Sequence, residues 1–222
     1  MTETESQNEG PQADSESPQE ERCPCPDTYP DWDGQSIDLS GHCVHEMRVP
    51  SIFHMPVSFD MYVSKQAYNV QDLELTELWP GLVLSKTGMW GGKILRLLKD
   101  SESSASRLVR HLPSPFNIMA QMHEGGVGTV PKAVHNMQIA MVEKGCMPKE
   151  FYLAHLTCPA CCGRKGGDRI LILRRYVANE RIKQNLEKES RKLAAKSAKE
   201  AGVKAKKQEL KGSRPTEDAS VG

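Results

Sequence analysis

The chain has 222 residues with 29 basic and 29 acidic side chains, so its formal net charge at pH 7 is zero. This length suggests one domain, or one domain with long appendages. The zero charge conceals two opposed ends, because residues 1–33 carry ten acidic residues and one arginine, whereas residues 175–214 carry thirteen Lys or Arg and five Glu. Neither end has enough apolar surface to offset the entropy of ordering it into a packed core.

The start of the chain, MTETESQNEG, has neither the basic start nor the apolar stretch of a signal peptide. No apolar run approaches the roughly 18 residues that a membrane span requires. We therefore expect a cytoplasmic protein that does not enter a membrane. In that reducing compartment the seven cysteines argue against a disulfide framework, and they leave metal binding, redox chemistry or simple burial.

Taken in chain order, residues 1–35 are predicted to be a disordered, acidic, proline-rich arm that contains the stretch CPCPDTYPDWDG. Residues 36–176 are expected to form an α+β domain of two β-hairpins packed with two or three helices. In its first part, the stretch GHCVHEMRVPSIFHMPVSF is read as irregular, and Pro56 is placed in the first turn of a helix that ends near Leu78. Apolar residues at spacings of four and seven should share the buried face of this helix: Val57, Met61, Tyr68, Leu75 and Trp79.

The rest of this domain is predicted to begin with a first hairpin, formed by residues 82–84 and 93–98 around a glycine turn. The stretch LPSPFNIMAQMHEGG is read as a short helix. Thr129 is placed to cap a further helix that ends at Gly145. Its apolar side is predicted to contain Val134, Met137, Met141 and Val142. The second hairpin covers residues 151–176, and the sequence shows no internal repeat of fixed period.

The tip of the second hairpin carries the motif TCPACCG, in which Cys158 and Cys161 form a C-x-x-C pair. A metal knuckle needs two thiolates in one tight turn, so that both sulfurs reach an ion at roughly 2.3 Å. Proline fixes one torsion of such a turn, and a glycine after the second thiol permits a positive one. These seven residues resemble the knuckles of zinc ribbons and rubredoxin-like sites, although Cys162 stands where the glycine normally lies. The sequence therefore predicts a metal-binding knuckle.

A closed structural metal site needs four ligands, so a second pair must come from elsewhere. Our first choice is Cys43 with His45, because alternate residues of an extended segment point the same way. The second choice is Cys23 with Cys25 on the proline-rich arm. Zinc is the expected metal, since mixed thiolate and imidazole ligands suit it, and an iron–sulfur cluster is the second choice.

Two other interpretations of the thiols stay open. C-x-x-C is also the motif of thiol–disulfide exchange, in which a helix N-terminus favours the first thiolate. Here a strand-like run precedes the motif, but Arg164 and Lys165 could lower a thiol pKa. Simple burial is the better interpretation of the isolated Cys146. His155 lies three residues before Cys158 and could point at the knuckle or at solvent.

Residues 177–222 are predicted to be a basic, charged helix with a disordered tail. Its clustered Lys and Arg could bind nucleic acid phosphates through residues 177–214. No aromatic residue follows Tyr176, however, so the helix offers no platform for stacking bases. A solvated helix, or one that binds a partner as in a coiled coil, explains the same composition.

No catalytic signature stands out, and the sequence specifies no substrate. We therefore expect a zinc-binding accessory or assembly protein that binds another macromolecule, most simply another protein. The first alternative is a metal- or thiol-dependent enzyme or enzyme subunit, in redox chemistry or iron–sulfur electron transfer. The second alternative is nucleic-acid binding through the basic helix. Three protein ligands with an open position would favour catalysis, and a fourth protein ligand would favour a structural metal.

Overall fold

One antiparallel sheet organises this computed structural model, which describes residues 23–53, 55–99 and 106–212. Within those residues the strands are β1 (Ser36–Asp38), β2 (Cys43–Ile52), β3 (Met55–Pro56), β4 (Leu84–Lys86), β5 (Gly91–Leu97), β6 (Val109–His111), β7 (Asn117–Glu124), β8 (Cys146–His155) and β9 (Arg169–Ala178). The helices are α1 (Phe59–Asp72), α2 (Val130–Glu143) and α3 (Glu180–Gly212). The α+β class is therefore confirmed, but two separate hairpins are not what forms: both hairpins are parts of one larger sheet.

The sheet contains a repeated topology that the sequence does not display. The strand order is β1-β7-β9-β8-β4-β5-β2-β3, with β6 paired to β2. In the first half, strand β2 is followed by α1 and then by the hairpin β4–β5, and β5 lies between β4 and β2 in the sheet. In the second half, β7, α2 and the hairpin β8–β9 follow the same plan. The two halves meet where β4 lies beside β8, through the pair Ser85 and Leu153.

The strand register shows that both α1 and α2 cover the same face of the sheet. Ser85 lies opposite Ile94 on one side and opposite Leu153 on the other, so these three side chains point to one face. Ile94 packs against α1, and Leu153 packs in the cluster that includes Met137 and Met141 of α2. We call this side of the sheet the helix face.

The opposite side, which we call the arm face, is covered by segments outside the helices. Trp32 and Leu39 from the N-terminal part, and Leu112 and Phe116 from the segment before β7, are all buried there. They pack on strand residues of the central strands: Val44, Leu84, Leu95, Leu97, Ile118, Ala120, Tyr152, Leu171 and Leu173. Residues 23–35 are thus part of the folded structure, whereas the sequence analysis placed them in a disordered arm. The rest of that predicted arm, residues 1–22, lies outside the described residues.

Helix α1 buries a different face from the one predicted. It ends at Asp72, well before Leu78, and Pro56 belongs to β3 and not to the first turn of the helix. Met61 and Tyr68 are 58% and 67% exposed, whereas Gln66 and Val70 are buried. A glutamine takes this position because its amide meets backbone and side-chain partners in the sheet below.

A buried polar network joins α1 to the sheet. The Gln66 amide nitrogen donates to the His45 carbonyl oxygen at 2.9 Å, and its oxygen accepts from Arg96 Nε at 3.2 Å. Arg96 Nη1 donates to both carboxylate oxygens of Glu77, at 2.8 and 2.9 Å. Glu77 also accepts the backbone N–H of Gly81 at 2.9 Å. The network thereby fixes the segment between α1 and β4.

Two further predicted segments are the short helix before Gly125 and the helix after Thr129. The stretch predicted as a short helix contains β7, because residues 117–124 pair with β1 and β9 on both sides. Helix α2 follows Thr129, but the Thr129 hydroxyl donates to the Gly126 carbonyl oxygen and makes no capping hydrogen bond to the helix. Of the predicted apolar side, Met137 and Met141 are buried whereas Val142 is 39% exposed, and Gly145 follows the helix end with a φ of +72°. The second hairpin is confirmed as β8 and β9.

The C-terminal helix α3 begins after Asn179, whose side-chain oxygen accepts the backbone N–H groups of Arg181 and Ile182. This is the N-cap contact that satisfies the free N–H groups of a first turn. The helix is largely exposed where its side chains are described, and its pairing in a coiled coil stays a prediction. Residues 213–222, assigned to a disordered tail, lie outside the described part of the chain.

Candidate metal centre

The knuckle forms in the connection between β8 and β9. The hairpin is closed by the Leu156 N–H, which donates to the Arg169 carbonyl oxygen at 3.0 Å. Beyond that point the backbone N–H groups of Cys161 and Cys162 both donate to the Cys158 carbonyl oxygen, at 3.0 and 2.9 Å. The backbone N–H of Cys158 in turn donates to the sulfur of Cys161 at 3.2 Å. The turn therefore aims an N–H at a ligand sulfur, as a metal knuckle requires.

The torsions that allow this turn come from glycines later than the one predicted. Gly166 and Gly167 have φ values of +80° and +116°, whereas Gly163 is not among the glycines with positive φ. The N–H of Gly167 closes the loop by donating to the Cys162 carbonyl oxygen at 2.7 Å. Cys162 can stand directly after the second thiol because no positive torsion is needed there.

The N-terminal arm is anchored beside the knuckle by polar and apolar contacts. Lys165 Nζ donates to the Pro26 carbonyl oxygen at 2.8 Å and lies 3.7 Å from the Asp27 carboxylate. Further along, the rings of Trp32 and Trp79 pack edge to face with centroids 5.0 Å apart. Gly81 touches the arm so closely that a β-carbon there would lie 3.3 Å from the Pro26 α-carbon. These contacts bring the Cys-Pro-Cys segment over the hairpin tip.

The result is a cluster of four cysteines: Cys23, Cys25, Cys158 and Cys161. Their four sulfur atoms all lie within 4.8 Å of one another. The sulfurs of Cys23 and Cys158 are 3.3 Å apart, and those of Cys158 and Cys161 are 3.8 Å apart. Four sulfurs placed tetrahedrally at roughly 2.3 Å from one ion would be separated by about 3.8 Å. The cluster therefore has the size and the ligand number of a site for a single metal ion.

The pKa values of Cys158 and Cys25 are shifted in opposite directions. The hydrogen bond from Cys23, assisted by backbone N–H groups, lowers the pKa of Cys158 to about 7. Burial, together with the neighbouring thiols, raises the pKa of Cys25 well above its ordinary value. Four thiols in contact cannot all ionise without a cation, because each thiolate repels the next. A divalent metal removes that repulsion, so binding and deprotonation of the cluster should occur together.

The structure does not bring the first-choice partners, Cys43 and His45, to this cluster. Both lie on β2 and point to the helix face as the alternation predicts, but β2 is separated from β8 by β5 and β4. Cys43 packs with Val70 and Leu98, and His45 is fully buried opposite Arg96 of the neighbouring strand β5. Burial and the nearby guanidinium lower the pKa of His45. The pairing that the structure assembles is the second choice, Cys23 with Cys25.

A cavity of about 300 Å³ opens beside the cluster on the helix face. It is bounded by the start of α1, by the segment before β4 and by the end of β8. Its apolar wall consists of Phe59, Val63 and Val83, its polar groups are Asp60, His155 and Thr157, and Cys25 and Cys158 line the metal side. Partial burial lowers the pKa of His155 and the nearby Asp168 opposes this shift, although the residue as a whole stays exposed to solvent.

Comparison with known families gives one assignment. Residues 14–176 match the family described as Bacterial hydrolase. The chain belongs to this family. The matched region contains all four cluster cysteines and the whole sheet apart from the last residues of β9, and it ends before α3.

Two further comparisons add little to this assignment. The crystal structure of the EcmrR C-terminal domain superposes with a TM-score of 0.49 and 10% identity, covering 64% of this chain and 96% of that one. A likeness of this level carries no argument about this chain. No curated protein sequence matches it.

The cavity residues are the part of the site that sequence reasoning missed. Phe59 and Asp60 begin α1, and nothing in their local sequence indicates that they face the end of β8. For His155, the sequence indicates only its short distance from Cys158 along the chain.

In the residues that the structure describes, no helix has the length and apolar character needed to cross a membrane.

Proposed function

We propose that the four-cysteine cluster binds one zinc ion in a closed, structural site. The observation that carries this proposal is the mutual distance of the four sulfurs, which fits one tetrahedral ion. An iron–sulfur cluster is the weaker candidate, because a body of several iron and sulfide ions would hold the cysteine sulfurs farther apart than a single ion does. A cytoplasmic location, where thiols stay reduced, is part of this proposal.

The role of this zinc is to join the N-terminal arm to the hairpin tip. Four protein ligands leave no open position for water or substrate, so the ion does not act as a Lewis acid. Its binding energy contributes to folding, because the two pairs of ligands are far apart in the unfolded chain. An accessory role, in which the folded protein binds another macromolecule, agrees with such a closed centre.

Metal analysis tests the proposal directly. Protein purified without added metal should contain about one zinc per chain, with no visible absorption from iron or sulfide. Cys161→Ser should lose both zinc and thermal stability, whereas the matched variant Cys146→Ser, outside the cluster, should keep both. Retention of a full zinc equivalent by Cys161→Ser, or an iron content near one or more per chain, would show that the proposed centre is wrong.

Hydrolysis is the second candidate function, favoured by the description of the family and by the cavity beside the zinc site. In this candidate the imidazole of His155 accepts a proton from water, and Asp60 and Thr157 orient the water or substrate. The apolar wall of Phe59, Val63 and Val83 would hold the body of a small substrate. The zinc maintains the shape of the cavity through Cys25 and Cys158.

A panel of chromogenic esters and amides, tested with zinc-loaded protein, distinguishes the hydrolase from the accessory role. His155→Gln should reduce turnover at least about a hundredfold, while zinc content and melting temperature stay unchanged. The control is His135→Gln, on the exposed side of α2. Turnover that survives His155→Gln would remove this candidate without affecting the zinc site.

A further inference from the structure

A row of basic side chains crosses three strands on the arm face, away from the cysteine cluster. Arg48 of β2 lies directly opposite Lys93 of β5, and Lys93 lies directly opposite Lys86 of β4. Side chains at opposed positions of an antiparallel sheet have Cβ atoms about 4.5–5.5 Å apart, and like charges there are destabilising. The fold therefore holds three positive charges close together at a cost in stability.

The neighbouring carboxylates neutralise this row only in part. Glu46 pairs with Lys93 at 2.6 Å but also binds Arg110. Glu150 lies 3.9 Å from Lys86 but is closer to Arg175, at 3.2 Å. Among the residues that the structure describes, no carboxylate pairs with Arg48. These five cations and two carboxylates leave three net positive charges on one surface.

The surface is concave and has an aromatic side chain at its edge. Arg48, Lys86 and Lys93 line a depression of about 560 Å³ together with Trp90, and Gly91 and Gly92 add no side chain to it. Trp90 is 74% exposed, and its ring lies 5.8 Å from the ring of Phe53. We call this depression the basic groove. Its volume is within the range of sites for small organic ligands.

We propose that the basic groove binds a nucleotide, with phosphates on the three cations and the base stacked on Trp90. Phosphate oxygens match a planar guanidinium and two ammonium groups, and they would relieve the repulsion within the row. An exposed indole offers a stacking surface that accepts any base. Free nucleotides and single-stranded nucleic acids share this chemistry, and the volume of this open depression fits a free nucleotide. The proposal depends neither on the zinc site nor on hydrolysis, since the groove lies on the other face of the sheet from the cavity.

To test this proposal, zinc-loaded, full-length protein is titrated with ADP, with inorganic pyrophosphate and with a short oligothymidylate. Binding is measured by isothermal titration calorimetry and by tryptophan fluorescence. ADP should bind and quench fluorescence, with an affinity that falls as salt rises. Arg48→Gln and Lys86→Gln should each weaken ADP binding about tenfold. Trp90→Ala should weaken ADP but leave pyrophosphate binding unchanged, because pyrophosphate has no base to stack.

The matched control is Lys132→Gln, an exposed lysine of α2 on the opposite face, which should bind ADP as the parent does. Far-ultraviolet circular dichroism confirms that each variant is folded. Oligothymidylate that binds more tightly than ADP, with the same dependence on Arg48 and Trp90, would identify single strands as the source of the nucleotide. Absence of ADP binding at millimolar concentration, or full affinity in Arg48→Gln, overturns the proposal.

Discussion

Replacing Glu77 by alanine tests the buried network that supports the arm. Arg96 is 5% exposed in its side chain and Glu77 is 14% exposed, and the guanidinium donates to both carboxylate oxygens. After the substitution Arg96 keeps its charge in the interior with only the Gln66 side chain and a long contact to the Val63 carbonyl oxygen. Removal of one partner of a buried ion pair costs about 3–5 kcal/mol. At ~2–4 °C per kcal/mol for a chain of this size, the melting temperature should fall by about 6–20 °C.

Differential scanning calorimetry of the zinc-loaded protein measures this loss. The matched variant Glu77→Leu/Arg96→Met removes both charges and should regain most of the stability, because no uncompensated charge stays buried. Glu180→Ala breaks an exposed pair with Lys183 and should change the free energy of unfolding by about 0.5 kcal/mol or less. A loss below about 1 kcal/mol in Glu77→Ala, or a double variant no more stable than the single one, would refute the argument from desolvation.

Three further predictions concern the arm, the thiols and the acid response. Gly81→Ala places a β-carbon 3.3 Å from the Pro26 α-carbon at a φ of +81°, so zinc should be released faster to a colorimetric chelator; unchanged release would contradict the role of this contact. In metal-free protein the rate of Cys158 alkylation by iodoacetamide should rise through a midpoint near pH 7, and Cys23→Ala should move that midpoint upward, as peptide mass spectrometry can show. Burial opposes ionisation of Glu46, but two basic side chains hold its pKa below the ordinary value. This contribution to stability is present above about pH 4.3 and is lost as the pH falls through the folded pKa, so Glu46→Gln should flatten the dependence of urea unfolding on pH in that range; an unaltered slope would count against it.

Local sequence signals predicted the parts of this protein that local geometry decides. The knuckle at Cys158 and Cys161 follows from a C-x-x-C motif between two apolar runs, and α2 follows from its periodicity and from Gly145. The exposure of Met61 on α1 was not predictable in that way. Which face a helix buries depends on its partners, and here the sheet offers carbonyl and guanidinium groups that select Gln66.

The second ligand pair illustrates a limit that is set by topology. Cys43 with His45 and Cys23 with Cys25 were both chemically suitable, and the sequence places neither pair near the knuckle. The strand order decides between them, because it puts two strands between β2 and β8 and leaves the arm to pass over the hairpin tip. That order depends on pairings such as β7 with β9, and β7 had been assigned to a helix.

The separation of the two cysteine pairs also affects how the protein is made. Cys23 and Cys158 are 135 residues apart in the chain. At ~5–20 residues per second, a ribosome needs about 7–27 seconds to travel that distance. During this interval Cys23 and Cys25 are part of a nascent chain in which Cys158 and Cys161 have not yet been synthesised. The proposed metal site can therefore be completed only after the tip of the second hairpin has been synthesised.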